Sequence, residues 1–472
     1  MPALARRGIR YLSSGLNDSD RIGPTLRAWG DRPFWWIGPD RRDSLLVMFA
    51  GRGYSWVGGW PKGRLTLEDA DVMNGYLEKL VASGYPWAIV QVRVAIGGDN
   101  GVPDGHLAEV VREWNARYAS PRLVIATLPQ MFTEFERRYG KRLPRIRGDL
   151  TGYWEDGAVS TAREQALTRN SAARLQQAEA LARLRGIPLN PRAVEAAWRL
   201  VLLWDEHTWG ADRSISEPDS PETLAQWRDK QRLAIEADSA SRALLAEASL
   251  SPAGSDELEI WHTHSGARSM VVVLPESLSR TGDRIRAGSG QWLTTQRLHD
   301  GSLAVEAPLP SAGALRVRNA AGTSKAGAHR AAAHAAGDSL WNGRVRVRVD
   351  RATGGLASVR WKGRELVDGS RGGWNRYRYV AGTDTSGARD ATVTALEVLN
   401  DGPLVATLRI TMRAPGAASL TCEVSLHAGD DRVYLVTTLD KAGVREKEAV
   451  HLAFPLAVPG GVVRMEQGLA VV

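Results

Sequence analysis

From residue 10 to residue 140 the chain alternates short continuous apolar runs with amphipathic ones. Ser44–Gly51, Trp87–Gly98 and Arg122–Leu128 are apolar runs of strand length, with a weaker one at Arg10–Ser13, and such runs predict buried strands. Helical stretches follow the stronger runs at Thr66–Ser83, Pro103–Ala119 and Pro129–Tyr139; in the second, Leu107, Val110, Val111 and Trp114 recur at i, i+3, i+4 and i+7. This alternation predicts parallel strands with right-handed crossovers. Four strands are too few to close a (β/α) barrel of about eight, so residues 1–150 are expected to form a partial (β/α) barrel or a small open sheet.

Between Ser160 and Ala248 the period becomes helical throughout. Thr161 and Glu164 have the spacing of a capping box, and Leu167, Leu175, Ala178 and Leu181 make one stripe. A second helix has Asn190 as its cap and Pro191 in its first turn, with Val194, Ala197, Trp198, Val201 and Leu202 turned inward. Ser220-Pro221 repeats the device. Residues 151–250 therefore predict a three-helix bundle.

After Ser249 short alternating runs take over. Arg268–Leu274 and Ser302–Val317 predict strands of a small β domain with a linker, residues 251–337, in which Asn319–Gly337 is too rich in Ala and Gly to bury much. From Leu340 onward, Val345, Val347 and Val349 alternate with Arg344, Arg346 and Arg348, and Gly354-Gly355 marks a turn before Leu356–Trp361. Val405–Met412, Ser419–Leu426 and Arg432–Leu439 continue the pattern, so residues 338–472 predict an antiparallel β-sandwich. The expected fold class is multidomain: α/β, then α, then β.

Composition narrows the partners. The 472 residues carry a net charge of +8, from eight lysines and 53 arginines scattered among Asp and Glu along the whole chain. A nucleic-acid surface would gather them on one element, so no nucleic acid is expected. No apolar run approaches the ~20 residues that span a bilayer, and the first residues have arginines without an apolar core, so neither a membrane segment nor a secretory signal is read. The single cysteine, Cys422, lies in an alternating run and is expected to be a buried strand thiol. Seventeen tryptophans against five phenylalanines offer either core or stacking faces for rings.

Candidate chemistry sits first at strand ends, where loops of parallel sheets carry function. The loop after the Trp87 run contains Asp99 between Gly97-Gly98 and Asn100-Gly101; the loop after Ser44–Ala50 contains Tyr54, Trp56 and Trp60 among four glycines. In Leu203-Trp204-Asp205-Glu206-His207-Thr208-Trp209 two acids precede an imidazole, a donor set that zinc accepts without cysteine. His262 and His264 share a strand face with nothing nearby to complete a site. No Gly-x-Ser-x-Gly elbow, phosphate-binding loop or His-Glu-x-x-His helix occurs.

The run Gly148–Arg163, with Gly152-Tyr153-Trp154-Glu155-Asp156-Gly157, followed by Leu202–Ala211, resembles bacterial members of glycoside hydrolase family 38, the α-mannosidase-type family. Ala5–Ser13, Arg21–Leu26, Trp341–Val347 and Thr353–Ser358 also fit, in order. The resemblance implies zinc-dependent, retaining hydrolysis of α-mannosidic or related bonds in an oligosaccharide or glycan. It makes His207 a zinc ligand, Asp99 the acid/base, Trp154, Tyr54 and Asp205 sugar contacts, and it gathers Trp56, Trp60, Trp154, Trp204 and Trp209 around the sugar. None of the nine histidines begins the His-x-Asp zinc pair of that family, and no residue matches its nucleophilic Asp. The expectation is therefore a fragment, the middle and C-terminal part of such an enzyme, inactive alone and prone to associate through an open barrel edge. The alternative is a non-catalytic carbohydrate-binding or structural remnant.

Overall fold

The structure, a computed structural model, describes residues 2–16, 24–38, 41–51, 63–94, 96, 101–148, 161–206, 213–214, 216–249, 257–323, 332–382, 384–461, 466–467 and 470–471. These fall into two compact units, one of residues 1–163, 206–230 and 462–472 and one of residues 164–205 and 231–461. It is a mixed α/β protein with several antiparallel sheets and eight helices among the described residues. None of those helices is long and apolar enough to cross a membrane.

In the first unit, after helix α1 (Pro2–Arg6), strands β1 (Tyr11–Gly15), β2 (Phe34–Ile37), β3 (Ser44–Ala50) and β4 (Arg145–Ile146) form one sheet in the order β1-β3-β2-β4. Helix α2 (Pro24–Trp29) separates β1 from β2. Strand β3 is buried on both faces. Leu45, Val47 and Phe49 meet Leu16, Leu26 and Phe34 on one side, and Leu46 and Met48 meet Phe132, Phe135 and Leu143 on the other.

Three expectations for this unit need correction. The sheet is mixed, not parallel throughout: β1 lies parallel to β3, but β2 runs antiparallel to it. Trp87–Val94 and Arg122–Thr127 join no ladder among the described residues, and side chains take up several of their main-chain groups instead. The Tyr85 hydroxyl donates to the Ile89 carbonyl at 2.5 Å, the Ala88 N–H donates to the Tyr139 hydroxyl at 3.2 Å, and the Asn115 amide bonds both the N–H (2.9 Å) and the C=O (2.8 Å) of Leu123. Third, Phe34–Ile37 is a strand that the pattern did not predict.

Of the three expected helices the first two begin later and end earlier than their apolar periods, and the third begins one residue earlier. Helix α3 (Ala70–Ala82) starts after a turn in which the Asp69 carboxylate accepts from the Thr66 N–H (2.7 Å) and hydroxyl (2.8 Å). Helix α4 (Leu107–Arg117) buries Trp114, whose indole donates to the Pro121 carbonyl at 3.0 Å. Helix α5 (Leu128–Tyr139) opens with a capping box between Thr127 and Gln130, which is why the run from Arg122 ends there.

The second unit contains almost all of helix α6 (Ala162–Arg185), all of α7 (Pro191–Trp204) and most of α8 (Pro221–Ser249). Asn190 accepts from the Arg192 N–H as the cap of α7, and Ser220 accepts from the Thr223 N–H at the start of α8. Leu175, Ala178, Leu181, Ala197, Val201, Ala237 and Leu244 share one core. Leu202 is not in it: it is 66 % exposed, while Trp204 is fully buried. The stripe from Ala197 through Val201 continues to Trp204 at i+7, which turns Leu202 outward.

Strands β5 (Glu257–His262), β6 (Arg268–Leu274), β7 (Arg284–Ala287), β8 (Trp292–Leu293), β9 (Thr295–Arg297), β10 (Leu303–Leu309) and β11 (Gly313–Ala320) follow. They form sheets β6-β10-β9 and β5-β11-β7-β8 over a common core of Ile260, Leu274, Ile285, Leu303, Val305 and Val317. The run Ser302–Val317, read as one strand, is the two strands β10 and β11, turning at Pro310–Ala312.

The C-terminal region comprises β12 (His334–Ala336), β13 (Ser339–Trp341), β14 (Val345–Val349), β15 (Leu356–Trp361), β16 (Arg364–Glu365), β17 (Arg376–Ala381), β18 (Arg389–Asp390), β19 (Thr392–Asp401), β20 (Val405–Arg413), β21 (Ala417–His427), β22 (Tyr434–Lys441) and β23 (Glu448–Ala453). Sheets β12-β13-β14-β15-β16, β18-β17-β23 and β19-β20-β21-β22 enclose one core. Val345, Val347 and Val349 point into it, and Arg346 and Arg348 point out, as the alternation predicts. Gly354 takes φ +75° in the turn before β15, and a Cβ there would collide with the Met412 sulfur.

Asp430, between β21 and β22, supplies a pH-dependent part of this region's stability. Burial alone would raise its pKa, but bonds from the Arg432 guanidinium and N–H and from the Tyr434 hydroxyl (2.7 Å) hold it down, from 3.8 to about 2. A depressed carboxylate stabilises the fold above its unfolded pKa and loses that contribution as pH falls through the folded one. Asp430→Asn is expected to be less stable than the parent chain at pH 5, and the two should converge on acidification from pH 4 towards pH 2. Urea denaturation at each pH measures this, and a constant gap across the window would show that the charge is not responsible.

Candidate functional site

Strands β1 and β3 are parallel with Gly15 opposite Ala50, so their C-terminal ends share one edge of the sheet. By the logic of parallel strands, chemistry in this unit belongs at that edge. A buried carboxylate organises it. Asp31, at φ +56° and 5 % exposed, donates its N–H to the Phe49 carbonyl at 2.8 Å and accepts from the Gly51 N–H at 2.9 Å. Its other oxygen accepts from the Tyr76 hydroxyl. A Cβ at residue 51 would collide with this carboxylate, so only glycine fits at the exit of β3.

Tyr85 lies in the field of the same group. Burial first, then the negative charge of Asp31, push its hydroxyl well above the ordinary tyrosine pKa, so it remains a neutral donor to Ile89. Gln91, 8 % exposed, is tied to Ser13 of β1, accepting from the hydroxyl at 3.0 Å and donating back at 2.8 Å. These bonds anchor the chain where it leaves toward residue 54 and toward residue 99. The sequence pattern missed Asp31: an Asp after Gly30 reads as a turn residue, and only the folded backbone brings Gly51 and Tyr76 to it.

Of the residues expected to carry function, Tyr54, Asp99, Trp154 and His207 lie outside the described residues, as do Trp56, Trp60 and Trp209. Asp205 is exposed at the C-terminal end of α7, where its N–H donates to the Val201 carbonyl at 3.0 Å. Glu206, the residue after it, accepts from Lys230 at 2.9 Å, and Lys230 is buried. Trp204, expected beside a sugar, is instead a core residue whose indole donates to Gln165 at 3.1 Å, so neither ring face is open to a ligand.

The other singled-out groups are structural. His262 is buried, its Nδ1 2.8 Å from the Pro310 carbonyl, with the exposed His264 ring 5.7 Å away. Cys422 is a buried strand thiol whose Sγ accepts from the Asn375 amide at 3.1 Å, and burial pushes its pKa up. Among the described residues no three His, Cys, Asp or Glu side chains stand together as metal ligands.

The chain matches no protein-family model, and comparison with curated proteins gives no match.

Proposed function

We propose that the chain is an α-mannosidase-like glycoside hydrolase module acting on α-mannosidic or related glycosidic bonds. The observation that carries this reading is the order of segments: Gly148–Arg163, then Leu202–Ala211, then Trp341–Val347 and Thr353–Ser358, in the sequence order of glycoside hydrolase family 38. Helices after residue 160 and antiparallel sheets after residue 256 agree with that order. In finer terms, the first unit would contribute part of a barrel wall and the C-terminal sheets a β-sandwich.

In this reading Asp99 gives a proton to the leaving glycosidic oxygen while a carboxylate nucleophile, which no residue of this chain matches, attacks the anomeric carbon, and Asp99 then withdraws a proton from the water that displaces that carboxylate. Trp154 and Tyr54 offer ring faces to the sugar, and Asp205 accepts from its hydroxyls. Zinc is the implied cofactor, with His207 as its ligand. The described residues do not assemble a donor set for it, and no histidine of the sequence begins a His-x-Asp pair, so no step is assigned to the metal.

That missing pair favours a second reading, a carbohydrate-binding module without turnover. An aryl α-mannoside separates the two. Because no residue of the chain matches the family's nucleophilic Asp, release of the phenol that needs added azide as an external nucleophile and falls at least about 100-fold in Asp99→Asn supports the hydrolase, whereas release without azide would refute the expected inactivity of the chain alone. Saturable binding by tryptophan fluorescence without release, weakened in Trp154→Ala, supports the binding module. Neither binding nor release, with zinc present, would overturn both.

A further inference from the structure

The outward face of sheet β12-β13-β14-β15-β16 carries a cluster of arginines that the fold itself does not explain. Arg346 of β14 stands directly opposite Arg360 of β15, and Arg348 stands opposite Ser358. Directly opposed like charges weaken a sheet, and residues two apart on a strand are about 7 Å apart, so three guanidinium groups rise from a small area. All three line one open cavity of about 480 Å³ with Ser339, Ser358 and Glu365. A register shift at Arg348/Val349 leaves Ala357 without a cross-strand partner, and the small residues Ala357 and Ser358 line the cavity beside the arginines.

Neighbouring acids are already engaged. Glu365 accepts from the Ser358 hydroxyl (2.5 Å), from the N–H groups of Val359, Leu366 and Val367 (3.0–3.1 Å), and from Arg360 at 3.4 Å. Asp338 accepts from Arg351 and from the Ser339 hydroxyl, both at 3.0 Å. Arg346 lies over the Trp341 ring at 5.7 Å, and neither it nor Arg348 has an ion pair among the described residues.

We propose that this cavity is a binding site for a tetrahedral oxyanion, a phosphate or sulfate ester carried by a small molecule. Guanidinium forks match such oxygens in pairs, and with the charge of Arg360 offset by Glu365, Arg346 and Arg348 together balance a dianion that one could not. The volume holds a group of monosaccharide to disaccharide size. Nucleic acid fits less well: a duplex needs cations repeated along a stripe, and a single strand needs aromatic faces, yet none of the lining residues is aromatic. The site lies on the C-terminal sheets and stands independently of the glycosidase reading.

The test uses the full chain at constant ionic strength, with calorimetric titration of inorganic phosphate, inorganic sulfate, a hexose 6-phosphate and a hexose 6-sulfate. Saturable binding is expected, tighter for the ester than for its inorganic ion, and whichever ester binds better identifies the natural group. Arg348→Ala and Arg346→Gln should each weaken it about tenfold. Arg316→Ala, which removes an exposed arginine paired with Glu259 on another sheet, should leave it unchanged. Circular dichroism checks folding, and Arg348→Lys, which keeps the charge but loses the fork, should fall between parent and alanine variant. Equal weakening by Arg316→Ala, no saturation by any of the four probes, or tighter binding of a DNA duplex would overturn the proposal.

Discussion

Trp204→Ala is expected to destabilise the helical part of the second unit by about 4 kcal/mol, the usual cost of truncating a fully buried tryptophan. Two terms add. The cavity left at the end of α7 cannot be refilled by Leu202 or Leu203, which point outward at 66 % and 42 % exposure. The Gln165 side chain, half-buried on α6, also loses the indole N–H that it accepts. Urea denaturation followed by helical circular dichroism measures the effect. Trp204→Phe should recover most of the packing and leave about 1 kcal/mol missing for the hydrogen bond. A loss below about 1 kcal/mol in the alanine variant would return Trp204 to the role of a ligand platform, because a residue held for stacking contributes little to the core.

Gln296→Ala should cost nearly as much for a different reason. The Gln296 carbonyl accepts from the N–H groups of Leu404 and Val405, each at 2.8 Å, and its amide donates to the Val405 carbonyl at 2.9 Å. All these groups are buried, Leu404 completely, in a small apolar cluster with Val271 and Ala304. Alanine strands the two main-chain N–H groups, while the Val405 carbonyl keeps the Gly402 N–H at 3.1 Å, so at roughly 1–3 kcal/mol for each N–H, less whatever water can recover, the loss is about 3 kcal/mol in total. Gln296→Asn should not rescue it, being one methylene too short. The decisive measurement is hydrogen exchange at Leu404 and Val405: protection should collapse there first. If exchange at these amides is unchanged, Gln296 is not what joins the sheet of β9 to strand β20.

These residues also mark how far the sequence could be read. Where one element satisfies itself, the pattern was sufficient. Val345, Val347 and Val349 alternate with arginines because one face of β14 is buried, and Asn190-Pro191 and Ser220-Pro221 announce helix starts because caps are local chemistry. Where partners come from elsewhere, it was not. Trp87–Val94 and Arg122–Thr127 have strand composition, but their main-chain partners include Tyr85, Tyr139 and Asn115 side chains, and nothing in an apolar run says what will lie beside it. Phe34–Ile37 was too short to register as a period. Leu202 was misplaced by one helical position.

The candidate site was legible to a smaller extent. Strand-end position singled out Tyr54 and Asp99; β3, which leads toward Tyr54, does pair in parallel with β1, whereas the run before Asp99 joins no ladder among the described residues. Asp205 was located at a helix end, where its exposed position leaves its role to the binding measurement. Asp31 and Gln296 were invisible because their identity as hydrogen-bond hubs exists only after residues 20 and 108 positions away have been brought to them.

The Asn115 amide has one more consequence. An extended apolar segment with free N–H and C=O groups is a template for a neighbouring molecule, and Val124 and Ile125, beside Leu123, are largely exposed at 73 % and 57 %. By occupying both main-chain groups of Leu123, a helical side chain withdraws the anchoring point at which intermolecular pairing would start. The run from Arg122 is thus tied to α4 by a side chain outside it, and removing the Asn115 amide would free both main-chain groups of Leu123.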